Sequence, residues 1–241
     1  MRINKYISST GFCSRREADK LIEGGSVKIN DEVALLGSIV NEGDRVTIND
    51  EPLKPERKFI YIALNKPRGI VSTTERQIEG NIIDFLQYKE RIFPIGRLDK
   101  DSEGLILLTS DGDIVNKILR SENDHEKEYI VTVDKAITEQ FIKDMSSGVI
   151  LEGRPTKRCR VWKVDRNTFR IILTEGRNRQ IRRMCAKLGV SVVFLKRVRI
   201  MNIHLNSLNV GEWRYLTDGE LNELFNKLNY HPLDPLEGTN Q

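Results

Sequence analysis

The chain is short of several things that common chemistries require. Its three cysteines, Cys13, Cys159 and Cys185, are odd in number, far apart and without a C-x-x-C spacing. That excludes a disulfide framework and offers no zinc signature, so reduced thiols in a cytoplasmic setting are expected. Apolar runs are only a few residues long, as in GLILL at 104–108, so no segment is long enough to span a bilayer. The first residues, MRINKYISSTGFCSRR, lack the apolar core of a secretory signal. Acids are nearly missing from one stretch: residues 154–199 hold fifteen basic side chains and two acidic ones. A block at +13 repels itself unless a polyanion or facing acids compensate it, and a nucleic acid is the better reading.

What is present suits one or two globular domains: 241 residues, 31% charged and 39% hydrophobic. Residues 1–50 read as a compact unit of helix, helix and short strands. Ile3, Tyr6 and Ile7 have helical spacing ahead of Gly11. Ser14 with Glu17 forms a capping box, and Gly24-Gly25 stops the second helix. SVKIN and the end of VNEGDRVTIN read as strands around an Asn30-Asp31 turn. Arg15 and Arg16 sit in a helical first turn, where the macrodipole disfavours cations, so they suit a phosphate grip. EPLKPERK, 51–58, reads as a linker, 59–230 as one larger domain, and 231–241 as a disordered tail. Strands are expected in FIYIALNK, GLILLT, KEYIVTV, CRVWKV, FRIILT and SVVFLKRVRI. Helices are expected in DGDIVNKILR, TEQFIKDMSSG, QIRRMCAKLG and ELNELFNKLN. The fold class is therefore α+β, with a largely antiparallel mixed sheet and flanking helices in the larger domain.

GRLDKDSEGLILLT, 96–109, sets Asp99, Asp101 and Glu103 on alternate positions. A calcium loop would need Glu where Ser110 stands and a helix where Pro94 and Gly96 lie. A glycosidase pair would want aromatics for the sugar, and these make up only 7%. One special aspartate beside arginines fits better. In TEGRNRQIRRMCAKLG, Ile181, Met184, Cys185 and Leu188 form a buried stripe, with Arg179, Arg183 and Lys187 opposite. Arg182 falls on the boundary, where it serves either a catalytic carboxylate or a structural ion pair. Tyr129 leads Val131 and Val133 on one strand face, either as a base-stacking ring or as a core tyrosine with a wet hydroxyl.

Residues 1–50, through GFCSRREADKLIEGGSVKIN and GDRVTI, resemble the S4 RNA-binding module. The resemblance implies RNA contact through Arg15, Arg16 and Lys20, and names Lys28 as a further candidate. FIYIALNKPRGIVST, FPIGRLDKDSEGLILLT, KEYIVTV, GRNRQIRRMC and LKRVRI resemble the RsuA-type pseudouridine synthases, nearest to the branch acting on large-subunit ribosomal RNA. That resemblance implies Asp99 as catalytic aspartate, Arg97 holding the place of a flipped-out nucleotide, Tyr129 stacking on uracil, and Arg182 ion-paired with Asp99. Lys66, Arg68, Arg177, Arg179, Arg183, Lys187 and Arg197 become expected RNA contacts, with Arg199 beside them. Asp101 and Glu103 become structural, with Asp101 bonding turn amides. No metal or organic cofactor is implied, and the expected partner is RNA, bound by a monomer away from membranes. The same chemistry on small-subunit or transfer RNA, or RNA binding without catalysis, is the alternative.

Overall fold

The computed structural model describes residues 1–53, 59–119 and 124–232. The chain divides into two units, a smaller one that takes in residues 1–60 and a larger one that takes in 61–109 and 114–230. Most of the expected linker and tail, at 54–58 and 233–241, lies outside the described residues.

In the smaller unit, helices α1 (Ile3–Ser9) and α2 (Arg15–Glu23) precede a four-stranded antiparallel sheet. Ser14 Oγ accepts from the Glu17 amide at 3.2 Å and the Glu17 carboxylate accepts from the Ser14 amide at 2.7 Å. These bonds satisfy two helix-end donors, so α2 starts where the sequence says it should. Strands β1 (Val27–Ile29), β2 (Glu32–Val33), β3 (Val46–Ile48) and β4 (Glu51–Pro52) lie in the order β2-β1-β3-β4. Asn30-Asp31 and Asn49-Asp50 all have positive φ, which matches the twist of two-residue hairpins. Ile3, Ile7, Ala18, Ile22, Val27, Val46 and Ile48 close the core. Glu51 and Pro52, expected to begin the linker, instead pair with β3 as an edge strand. Proline is tolerated there because an edge needs no further donor.

The larger unit is ordered β5 (Tyr61–Lys66), α3 (Ile82–Leu86), β6 (Phe93–Pro94), β7 (Glu103–Thr109), α4 (Gly112–Leu119), β8 (Lys127–Val133), α5 (Glu139–Ser147), β9 (Ile150–Leu151), β10 (Arg154–Pro155), β11 (Arg160–Asp165), β12 (Thr168–Leu173), α6 (Gln180–Lys187), β13 (Val192–Ile200), β14 (Ile203–His204), β15 (Trp213–Tyr215) and α7 (Asp218–Leu228). Its main sheet runs β11-β12-β8-β13-β7-β5-β15, with β6 paired to β7 and β14 to β13. Every pairing is antiparallel except β13 with β7. The mixed, largely antiparallel sheet expected from the sequence is therefore present. The apolar run of β7 fits its central place, since residues 104–109 are all buried.

Val131 and Val133 of β8, Phe169 and Ile171 of β12 and Leu195 of β13 form one buried cluster. Phe141 and Met145 of α5 and Ile181, Met184 and Cys185 of α6 join it. Tyr129 packs at its margin, so the helix stripe and the alternating strand find each other as their periods require. The parallel contact has its own requirement. Gly104 has φ +114°, and a Cβ there would come within 2.6 Å of the Arg197 backbone nitrogen. Only glycine lets β7 and β13 approach at the point where the 96–102 loop enters the sheet.

Candidate active site

The loop 95–102 is fixed from two sides. The Ser72 hydroxyl donates to the Leu98 carbonyl at 2.9 Å, and the Leu98 amide donates back to Ser72 Oγ at 3.2 Å. The Gly69 amide donates to the Lys100 carbonyl at 2.7 Å, and within the turn Ser102 N bonds to Asp99 O at 3.0 Å. Lys66 shapes the facing turn. It is fully buried, and its ammonium donates to the carbonyls of Pro67 and Ile70, both at 2.8 Å. Burial, reinforced by Arg197, lowers its pKa to about 8 against the pull of Asp101, Asp99 and Glu103. The expected phosphate contact by Lys66 is therefore corrected, because the ammonium is spent inside the turn.

The three acids separate cleanly. Asp101 takes a bidentate grip from Arg179, with Nη1 and Nη2 each at 3.0 Å. That bond, with the nearby Arg182 charge, holds the Asp101 carboxyl below the usual carboxylate range despite some burial. Glu103 pairs with Lys196 at 2.8 Å. Asp99 has no hydrogen bond to its carboxylate among the described residues, and Arg179 Nη1 stands 3.6 Å from it. Of the three, Asp99 is the one that lines a cavity of about 550 Å³, a volume in the usual range for ligand sites. Gly96, Arg97, Ser102, Lys127, Tyr129 and Arg197 line the same cavity.

The helix that carries the arginines is positioned by its own start. Gln180 is buried and accepts from the Arg177 amide at 3.0 Å while its side-chain amide donates to Glu175 at 2.8 Å. Arg179, in the left-handed region at φ +47°, turns the chain into α6. Arg182 reaches back to the loop, where Nη2 donates to Asp101 O at 3.2 Å and Ser102 Oγ at 3.1 Å, and Nε lies 3.4 Å from the Asp101 carboxylate. The expected Arg182–Asp99 pair is thus corrected. Arg182 clamps the loop through Asp101 and Ser102, and the cation beside Asp99 is Arg179. Asp101 holds these two arginines first, and of the turn amides its carboxyl takes a weaker bond from its own.

The RNA-contact candidates divide by what holds them. Arg197 is 4% exposed and donates to Leu105 O at 2.7 Å, so it cannot be the surface phosphate contact expected of it. Arg177 bonds Glu175 and the carbonyls of Arg154 and Pro155, and Arg183 pairs with Glu152 at 2.8 Å. Lys28 pairs with Asp50, and Arg199 with Glu126 and Glu128. Arg68, Arg97 and Lys187 are exposed with no ion pair among the described residues, as are Arg16 and Lys20 in the smaller unit, where Arg15 is also exposed.

Comparison with known proteins gives the family of the chain. The RNA pseudouridylate synthase family matches residues 60–187, and the S4 domain family matches residues 1–46. The dual-specificity RNA pseudouridine synthase RluF of Escherichia coli (strain K12) is 56% identical over 227 residues, covering 93% of this chain and 78% of that protein. The ribosomal large subunit pseudouridine synthase B of Bacillus subtilis (strain 168) is 34% identical over 233 residues, covering 92% of this chain and 95% of that one. A solved structure described as a pseudouridylate synthase superposes with a TM-score of 0.69 at 34% identity, over 93% of this chain and 99% of that one.

The chain belongs to the RNA pseudouridine synthases.

Its smaller unit is an S4 domain and its larger unit carries the synthase fold. The synthase cavity also includes residues that sequence reasoning passed over: Ser102, Lys127, Glu175 and Gln180. For Lys127 a signal existed, since it lies two residues before Tyr129 and so shares its strand face. Ser102 and Glu175 gave none, because loop residues have no period to read, and Gln180 gave none, because the first residue of a helix is read as its start rather than as part of a site.

Proposed function

We propose that this synthase converts a specific uridine of large-subunit ribosomal RNA to pseudouridine with Asp99 as its catalytic carboxylate. The observation that carries this is the sorting of the acids. Asp99 shares the cavity with Tyr129, while Asp101 and Glu103 are committed to Arg179, Arg182 and Lys196. The two named relatives support the substrate, one by its large-subunit name and the other by a name that adds a second specificity. Activity on a second class of RNA is therefore part of the proposal.

The chemistry follows from the positions. A uridine must leave its stack before its glycosidic bond can be reached. Arg97, exposed at the cavity and without an ion pair among the described residues, holds the vacated place in the RNA. The uracil ring stacks on Tyr129. Asp99 acts on the bound nucleoside as a carboxylate, either as a nucleophile or as a base at the ribose, charge-compensated by Arg179. The C1′–N1 bond breaks, the base turns under Tyr129, and C5 bonds to C1′. A proton leaves C5 and one returns to N1, so the reaction is a net isomerisation. Arg68 and Lys187 contact backbone phosphates, and Arg15, Arg16 and Lys20 of the S4 domain add further ones.

The test is tritium release from 5-[³H]uridine-labelled large-subunit, small-subunit and transfer RNA. Release from large-subunit RNA and from one other class is expected. Release confined to small-subunit RNA would overturn the substrate, and no release from any of the three would overturn catalysis.

A further inference from the structure

Two cations beside Tyr129 have no part in the scheme above. Lys127 and Tyr129 lie two residues apart on β8 and face the same way. The ladder sets Tyr129 directly opposite Arg197 of β13, so the three side chains are neighbours on one face, and all three line the cavity. Arg197 is held by Nε to Leu105 O at 2.7 Å and by Nη1 to Arg97 O at 3.5 Å. Its Nη2 is buried and has no hydrogen-bond partner among the described residues. Buried donors are nearly always bonded, so this one lacks a partner that a group packed against Arg197 would supply. The Lys127 ammonium makes one hydrogen bond among the described residues, to the carbonyl of His125 at 3.2 Å. Neither cation has an acid within ion-pair distance among the described residues, where Asp99 lies nearest to Arg179 and Glu175 is bonded by Gln180 and Arg177. Arg97, Arg177, Arg179 and Arg182 are the other cations that line the cavity.

A patch of uncompensated positive charge costs stability, so it calls for a reason. Phosphates are served by exposed arginines such as Arg97 and Arg68, whereas these two cations flank the ring on which the base rests. Uracil is neutral when it binds and becomes negative during the reaction. When C1′–N1 breaks, the electron pair leaves with N1 and spreads over O2 and O4. If a group adds to the ring instead, the charge falls on the same carbonyl system.

We propose that Lys127 and Arg197 contact the uracil carbonyls and stabilise the negative charge that the base acquires as its bond to the ribose is broken. This rests on the function proposed above. It makes the two residues part of the machinery, because their interaction is stronger in the transition state than with the bound neutral base. It also makes the rate sensitive to the Lys127 proton. Burial and then the Arg197 charge lower the Lys127 pKa to about 8, and only the protonated form carries the charge.

The experiment is single-turnover pseudouridine formation at saturating RNA, across pH, with RNA affinity measured in parallel. Lys127→Met is expected to lose about 100-fold in rate, the usual effect of removing one such donor, with RNA affinity changed less than about twofold. Lys127→Arg is expected to keep most of the rate. The wild-type rate should fall as pH rises through about 8, and Lys127→Arg should lack that fall. Lys127→Gln repeats the test if the methionine variant does not fold. A folded Lys127→Met at the wild-type rate overturns the inference, as does weakened RNA binding with an unchanged saturating rate. A wild-type protein that forms no pseudouridine in any RNA overturns the function itself.

Discussion

Two regions of this chain use their positive side chains in opposite ways. Within residues 154–199, the positive block of the larger unit, most side chains are already answered. Arg160 and Arg199 hold Glu126, Arg170 and Arg199 hold Glu128, Arg183 holds Glu152, Lys196 holds Glu103, and Arg179 with Arg182 holds Asp101. Those acids come from the stretch 99–152, within a segment of the chain where acids outnumber bases. In the S4 domain, by contrast, Arg16 and Lys20 stand one turn apart on α2, exposed and with no ion pair among the described residues. A dense positive run in a sequence is therefore not the same thing as free positive charge. The larger unit spends its arginines on positioning a loop and bracing a sheet. The S4 domain, where acids and bases cancel, still keeps cations open to a polyanion.

The comparison breaks most visibly at Glu128. Its carboxylate is buried and bonded by Arg170 at 2.8 Å and Arg199 at 3.0 Å. Glu128→Gln should cost about 3 kcal/mol by leaving buried charge uncompensated, read as a lower urea midpoint. A variant as stable as the wild type would show that these arginines are not structural.

Arg16→Glu with Lys20→Glu should act in the other direction. Both sites are exposed, so stability should change by less than about 0.5 kcal/mol. RNA affinity should fall, and the salt slope should flatten by about 1.5 through the loss of two phosphate contacts. An unchanged salt slope would remove these two residues from the binding surface.

The smallest expected effect is one of pH. Asp101 titrates below the ordinary carboxylate range because Arg179 bonds its charged form. A carboxyl lowered on folding lends stability that is present above its unfolded pKa and is lost as pH falls through the lowered folded value. The loop 96–102 should therefore stay ordered through mild acidification and loosen only below the usual aspartate range. An NMR titration of the Asp101 carboxyl checks this, and a value at or above the ordinary one would contradict it.

Much of this was legible in the sequence because it depended on local pattern. The Ser14–Glu17 box starts α2, GLILLT is a central strand, the Ile181–Met184–Cys185 stripe is buried, and Tyr129 stands at the core margin. What was not legible was partnership across the fold. A helical wheel places Arg182 on a boundary, but three acids within five residues all lie within its reach, and only the folded loop assigns it to Asp101. Lys66 and Arg197 read as free cations because nothing local shows that β5 and β13 carry them inward. The short edge strand β4 reads as linker in the sequence because two residues have no period. The +13 block points to RNA, as the family bears out, but which of its cations stay free does not show in the sequence, because the acids that pair with the others lie far away in it.

The central claim is that Asp99 does the chemistry while Asp101, two residues on, holds the frame. The direct test sets Asp99→Asn beside Asp101→Asn, measuring single-turnover tritium release and RNA affinity for each. Asp99→Asn should lose roughly 10³-fold or more in rate, at the upper part of what one catalytic carboxylate contributes, with RNA affinity intact. Asp101→Asn should remain active, though slower. An active Asp99→Asn, or an Asp101→Asn that is the inactive one of the pair, would contradict the account.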